Sequence, residues 1–422
     1  MRTAGDILLL SCYELGHQPH HLATPLALLH RDGYAPVAVD TAVEPLSDDT
    51  IAQAHFVGIA VPMHTALRLG ESLARRIRSL NPAAHICFYG LYAALNEDFL
   101  LQDISDSAIG GEYERPLLEL IATLEKGPRG SAPAVAGVST RRQLRKPSIE
   151  RAPVVVPDRS ELPPIERYAH LDWNGEARIT GYVETTRGCK HVCQHCPITP
   201  IYHGRFFAVP AEIVLADIRA QVRQGAQHIT FGDPDFLNGP THALRITRAL
   251  HQEFPGMTFD ATIKIEHLLQ HRRLLPELKS NGCLFIVSAV ESLNDEVLLR
   301  LKKGHTADDV AEVFDLVEQV GVALRPSLMP FSPWETLESY IHLLDFIEGR
   351  HLVENVDPVH LSIRLLIPPG SALLDSPDTH AWLRELDAAA YTYRWQHPDP
   401  RMDALHSRVS ALVEEAQRKG AD

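Results

Sequence analysis

Ile179-Thr-Gly-Tyr-Val-Glu-Thr-Thr-Arg-Gly-Cys189-Lys-His-Val-Cys193-Gln-His-Cys196 is the stretch on which the reading of this chain turns. Its first half is rich in β-branched and aromatic residues, the composition of a strand. Gly188 lets the backbone turn sharply as it leaves that strand, and three cysteines follow within eight residues. Spacing this tight allows one loop to wrap three thiolates around a cube of iron and sulfide, with one iron left open. An open iron suits a small molecule carrying an amine and a carboxylate. Zinc is the rival occupant, with His191 or His195 as a fourth ligand.

Downstream of the cysteines the chain alternates strand and helix patterns. Apolar β-like runs cover residues 179–185, 228–232, 258–265, 284–290, 323–329 and 359–367. Helical periodicity covers 211–224, 241–254, 274–281, 306–320 and 336–348. Six βα units predict an open, incomplete barrel, with the carboxyl ends of all its strands on one rim. Upstream, runs at 6–11, 35–40, 56–61, 85–90 and 107–110 are separated by helical stretches, the clearest at 65–80 and 116–125. This pattern predicts a parallel sheet covered on both faces, with ligands at the strands' carboxyl ends. The α/β chain therefore divides into a Rossmann-like domain (1–126), a linker (127–170), a partial (β/α)6 barrel (171–378) and a helical C-terminal extension (379–422).

The 422 residues carry a formal charge of −14, which argues against nucleic-acid and anionic-membrane partners. The longest apolar run near the start, residues 7–10, is too short for a signal peptide or a membrane span. Of the six cysteines, Cys12, Cys87 and Cys283 sit in apolar runs as small buried hydrophobes. Sparse, clustered cysteine usage points to a reducing cytoplasm rather than a disulfide framework.

Three cysteines spaced CxxxCxxC after the first strand of a six-unit barrel resemble the radical S-adenosylmethionine (SAM) superfamily. The resemblance implies that Cys189, Cys193 and Cys196 hold a [4Fe–4S] cluster and that SAM binds its open iron and is cleaved there to a carbon radical. It also implies a SAM pocket. His195 stands where family members place an aromatic residue against the adenine. Asp233 and Asp235 of Phe231-Gly-Asp-Pro-Asp-Phe236 replace the common Gly-Gly-Glu that holds the SAM amino group. Ser288 and Glu291 of Ser288-Ala-Val-Glu-Ser292 match the strand end that reaches the ribose. Lys264 closes the third strand, Arg325 is placed for the SAM carboxylate, and Ile367 lies on the sixth strand, along the adenine.

A Rossmann-like domain ahead of such a barrel resembles the cobalamin-binding class, and Gly90 and Gly110 stand where that class places glycines beside the corrin tail. The Asp-x-His-x-x-Gly signature of a lower cobalt ligand is missing, and His17, His20, His21 and His64 are the remaining imidazoles near that rim. In finer detail the chain is similar to radical SAM families named for cysteine- or selenocysteine-bearing tails, relatives of the enzyme of arsinothricin biosynthesis. It stops at Lys419-Gly-Ala-Asp422 without that tail, which this member either lacks or carries beyond the sequence. The resemblance implies an enzyme of specialised metabolism, fed by an electron donor such as flavodoxin or ferredoxin. It would act on a small molecule by 3-amino-3-carboxypropyl transfer, for example to arsenic, or by cobalamin-dependent methyl transfer, forming a C–C, C–P or C–As bond. The competing class is a non-catalytic iron–sulfur or zinc ligand sensor.

Overall fold

A computed structural model describes residues 1–127 and 134–419. Contacts divide the chain into two compact units: residues 1–184, 200–230 and 388–391, and residues 185–199, 231–387 and 392–422.

The first unit begins with strands whose residues are almost all buried, as a sheet covered on both faces requires. They are β1 Ile7–Ser11, β2 Val37–Asp40, β3 Phe56–Ala60, β4 His85–Tyr89 and β5 Ser107–Ile109. They pair in parallel in the order β2-β1-β3-β4-β5, and the expected helices form at His64–Leu80 and Glu114–Lys126. Leu9, Leu22, Leu26, Phe56, Tyr89 and Leu117 are among the residues of one continuous core.

The segment read as a linker holds more structure than its Pro, Arg and Ser content suggests. Strand β6, Val138–Thr140, adds an antiparallel edge to β5. Farther along, Leu162 and Ile165 are buried, and so is Arg159. The guanidinium of Arg159 donates to both oxygens of Asp217 (2.7 and 3.0 Å) and to the Tyr182 carbonyl (2.8 Å), and it reaches Gln18. The basic cluster Arg141–Lys146 follows β6, with Arg141 and Arg142 exposed to solvent. Residues 128–133 lie outside the described residues.

A second sheet follows the order β14-β13-β12-β11-β8-β7. Its members are β7 His170–Trp173, β8 Glu176–Val183, β11 His228–Phe231, β12 Thr258–Thr262, β13 Cys283–Glu291 and β14 Ala323–Leu328. Two short strands, β9 Thr186–Gly188 and β10 Phe206–Ala208, intervene. Two of its helices begin at capping boxes. Thr306 and Asp309 form a capping box ahead of Ala307–Val320, which Gly321 ends in left-handed backbone, and Thr336 and Ser339 do the same ahead of Leu337–Gly349.

The sixth segment differs from expectation. Residues 358–361 form a 3-10 turn, and among the described residues the stretch makes one bridge, Phe331–Arg364, in place of a sixth ladder. Pro358 before it and Pro368-Pro369 after it withhold the amide donors that a longer ladder needs. The tail also departs in detail: an antiparallel hairpin, β15 Leu383–Asp387 with β16 Thr392–Trp395, precedes the expected terminal helix, Pro400–Arg418. Ile367, Trp382 and Trp395 pack with Val297 and Leu301 in a core of their own. Among the described residues, no helix is long and apolar enough to cross a membrane.

Candidate active site

The cysteine loop starts at Gly188, whose φ of 73° is the left-handed turn that glycine makes without a Cβ penalty. Cys189 and Cys193 are buried and Cys196 is partly so, and all three are free thiols. Backbone contacts tie the loop down along its length. Lys190 N donates to Asn238 Oδ1 (3.2 Å) and Gln194 N to the Leu301 carbonyl (2.9 Å), and the Thr199 hydroxyl donates to the Cys193 carbonyl (2.8 Å). The Cys189 thiol also points at Asn238 Oδ1, at 3.7 Å.

Burial pushes the Cys196 thiol up to about 12 and raises Cys189 too, and the neighbouring Cys193 adds to the cost of ionising both. Three close, largely buried thiols, two of which resist ionisation when bare, match a site whose charge a metal cluster supplies. The donor set therefore fits a [4Fe–4S] cluster with three sulfur ligands.

The acidic motif sits beside this loop. Asp233 accepts from Thr185 N (3.0 Å), the Thr185 hydroxyl (2.7 Å) and the Thr186 hydroxyl (2.5 Å), so it clasps the chain just ahead of the cysteines. Asp235 caps the turn after it through Leu237 N (3.2 Å). Its other oxygen faces His267 Nδ1 at 2.6 Å and His191 Nε2 at 3.3 Å. Burial alone would raise the Asp235 carboxyl, but the two imidazoles hold it down at about 2. Lys264, at the start of the helix Ile265–Gln270, reaches Glu266 at 3.3 Å.

Glu291 closes β13 with its φ at 67°, at a register shift against β14. Burial opposes its charge, yet the Lys303 ammonium (3.2 Å) and His195 (3.2 Å) hold its carboxyl well below the usual range. The structure thus brings together His195 and Glu291, which the sequence placed at adenine and ribose separately. Ser288 is fully buried, and its hydroxyl has no partner among the described residues. Arg325 lays its guanidinium 4.2 Å from the Phe285 ring centroid and makes no ion pair among the described residues. It lines a cavity of about 1240 Å³ with Val287, Ser327 and His360. Both backbone polar groups of Ile367 are taken by β16, its N–H by the Thr392 hydroxyl (3.0 Å) and its carbonyl by Tyr393 N (2.8 Å).

Sequence reasoning missed Lys303, His267 and the anchoring role of Asn238. Each is brought in by tertiary folding from beyond its own local pattern, so periodicity carried no signal for it.

In the first unit, Gly90 has a φ of 110°, and a Cβ at Gly110 would lie 2.2 Å from the Ala94 Cβ. The chain itself therefore demands glycine at both positions. The four rim histidines are engaged: His17 packs on Tyr182, His20 faces Glu184, His21 pairs with Glu14, and His64 Nε2 meets the Ala390 carbonyl at 2.7 Å. At the carboxyl end of β1 the Ser11 hydroxyl is buried without a partner among the described residues, and the apolar Leu15 is 60% exposed.

The radical SAM superfamily model matches residues 183–347. The ribosomal protein uS12 methylthiotransferase RimO of Porphyromonas gingivalis is 27% identical over 187 residues, which span 40% of this chain and 41% of that protein. The chain thus spans about two fifths of the length of these first curated relatives. The uncharacterized methyltransferase PH0819 of Pyrococcus horikoshii is 20% identical over 410 residues, 93% of this chain and 85% of that one. Among solved structures, the radical SAM methyltransferase TsrM of Kitasatospora setae, with tryptophan and a SAM analogue bound, has a TM-score of 0.74 at 16% identity, covering 96% of this chain and 89% of that one. The cobalamin-dependent radical SAM enzyme OxsB, with aqua-cobalamin and SAM bound, has a TM-score of 0.71 at 16% identity, covering 97% and 66%. Residues 183–347 are a radical SAM domain, a family whose cofactors are a [4Fe–4S] cluster and SAM, and nearly the whole chain takes the α/β fold of TsrM and OxsB.

Proposed function

We propose that this enzyme is a cobalamin-dependent radical SAM methyltransferase acting on a small molecule. The observation that carries the reading is the likeness of nearly the whole chain, first unit included, to a radical SAM methyltransferase, together with a three-thiol loop on the half-barrel. A [4Fe–4S] cluster supplies the electron that breaks a C–S bond of SAM, and cobalamin supplies a carrier for its methyl group.

The chain's own residues supply position and charge. Cys189, Cys193 and Cys196 hold the cluster, and Asn238 and Leu301 fix the path of their loop. His195, braced by Glu291 and Lys303, presents an imidazole face for the adenine. Ser288 offers the ribose a hydroxyl without a partner among the described residues. Gly90 and Gly110, which the chain's own packing demands, stand at the strand ends where a corrin would lie. Six free thiols suit a cytoplasmic protein that receives electrons from a flavodoxin or ferredoxin.

The test is anaerobic reconstitution with iron and sulfide, then incubation with cobalamin, dithionite and methyl-deuterated SAM. Binding of cobalamin and loss of the deuterated methyl group from SAM to cobalamin or an acceptor are the expected results. Methylthioadenosine as the main product overturns methyl transfer in favour of 3-amino-3-carboxypropyl transfer. A protein that binds iron and leaves SAM intact overturns the enzymatic reading. Cys193→Ala is expected to abolish both the visible iron–sulfur absorbance and SAM turnover.

A further inference from the structure

A second group of metal-ligand side chains lies beside the cysteine loop and uses none of its sulfurs. His191 contributes Nε2, Asp235 contributes Oδ2, and His267 contributes a ring nitrogen, with all three ligand atoms within 4.8 Å of one another. The side chains of Asp235 and His267 are 0% and 1% exposed, and that of His191 is 13% exposed.

The spacing of His191 Nε2, His267 Nε2 and Asp235 Oδ2 suits a metal ion. His191 Nε2 lies 3.2 Å from His267 Nε2 and 3.3 Å from Asp235 Oδ2. A tetrahedral ion with bonds of about 2.0–2.1 Å holds neighbouring ligand atoms about 3.3 Å apart. His267 turns its other ring nitrogen, Nδ1, to Asp235 Oδ2 at 2.6 Å, and neither atom has a partner of full hydrogen-bond geometry among the described residues. A buried carboxylate oxygen without an aligned donor is rare and costly.

The charges agree with the distances. Glu266 Oε2 stands 3.5 Å from His191 Nδ1, the carboxylate–imidazole pattern that leaves Nε2 as the metal-binding lone pair. No lysine or arginine pairs with Asp235 among the described residues, and Lys264 is taken by Glu266. The lone pair of His191 therefore faces a carboxylate oxygen and a second imidazole nitrogen, an arrangement that a cation relieves.

We propose that His191, Asp235 and His267 bind one divalent ion of the zinc or ferrous class, separate from the thiolate site. Three protein ligands leave at least one position for water or for an oxygen or nitrogen of a substrate, which marks the site as a working one rather than a closed structural one.

The experiment uses the full-length protein, reconstituted with iron and sulfide, treated with chelator, and then titrated separately with Zn²⁺ and Co²⁺. The expected result is one equivalent of zinc beyond the cluster iron. Co²⁺ in its place should give the visible d–d bands of a four- or five-coordinate site without thiolate charge-transfer bands. Asp235→Asn and His267→Gln are each expected to weaken Zn²⁺ binding at least tenfold, with the iron content unchanged. The Cys189→Ala/Cys193→Ala/Cys196→Ala protein is expected to keep the zinc equivalent, which separates failure of this proposal from failure of the cluster assignment. If either histidine-site variant unfolds by circular dichroism, His191→Ala, at a partly exposed position, carries the measurement. Zinc content that follows the cysteines, or that is the same in wild type and His267→Gln, overturns the proposal.

Discussion

Glu291 is held in a backbone region that costs a residue with a Cβ on the order of 1–3 kcal/mol. It stays there because Lys303 and His195 hold its carboxylate at the end of β13. Lys303→Met would leave the buried carboxylate with His195 as its remaining partner, so a loss of about 3 kcal/mol is expected in urea unfolding. Glu291→Gln combined with Lys303→Met is expected to recover much of that loss, because both charges leave together. A second buried carboxyl acts through pH. Burial raises Asp40 from 3.8 to about 6, although it accepts Ala42 N at 3.1 Å. The folded state binds this proton more tightly than the unfolded one, so stability contributed at pH 4 is lost as pH rises through 6 and then stays level. Asp40→Asn is therefore expected to equal wild type near pH 4 and to exceed it by roughly 1–3 kcal/mol above pH 6, read from thermal melts across pH. The cysteines and Glu291 were legible because loops after strands and strand ends announce themselves in sequence. Lys303 and His267 were not, since each reaches its partner through folds that leave no local period.

At the scale of elements, helix boundaries were the most legible part of the chain. Periodicity placed helices at 306–320 and 336–348, and the structure has them at Ala307–Val320 and Leu337–Gly349, each behind a capping box. Short strands were the least legible. Val138–Thr140 is too brief to show alternation, and Leu383-Arg-Glu-Leu-Asp387 carries charges that a helix would accept equally well. The segment read as a linker shows why composition misleads. Its prolines and arginines look solvated, yet Arg159 is buried and bidentate to Asp217. Arg159→Met strands the Asp217 carboxylate in the core, and a loss of about 3–5 kcal/mol is expected in denaturant titration, with faster proteolysis within residues 127–170.

For the whole molecule, the βα alternation and one loop sufficed to read the fold class and the superfamily. The substrate was not legible, because strand-end residues that choose a substrate obey no period and no spacing rule. Loading the cluster is expected to raise the melting temperature of the wild type and to leave that of Cys193→Ser unchanged, since binding to the folded chain adds its own free energy to stability. The compactness of the ligand set has one more result. All three sulfurs belong to one stretch already moored at Asn238, Leu301 and Thr199. Little chain entropy stands between an emptied loop and a refilled one. Oxygen-bleached protein should accordingly regain its colour on anaerobic addition of ferrous iron and sulfide with no denaturant, a repair carried out without dismantling the scaffold.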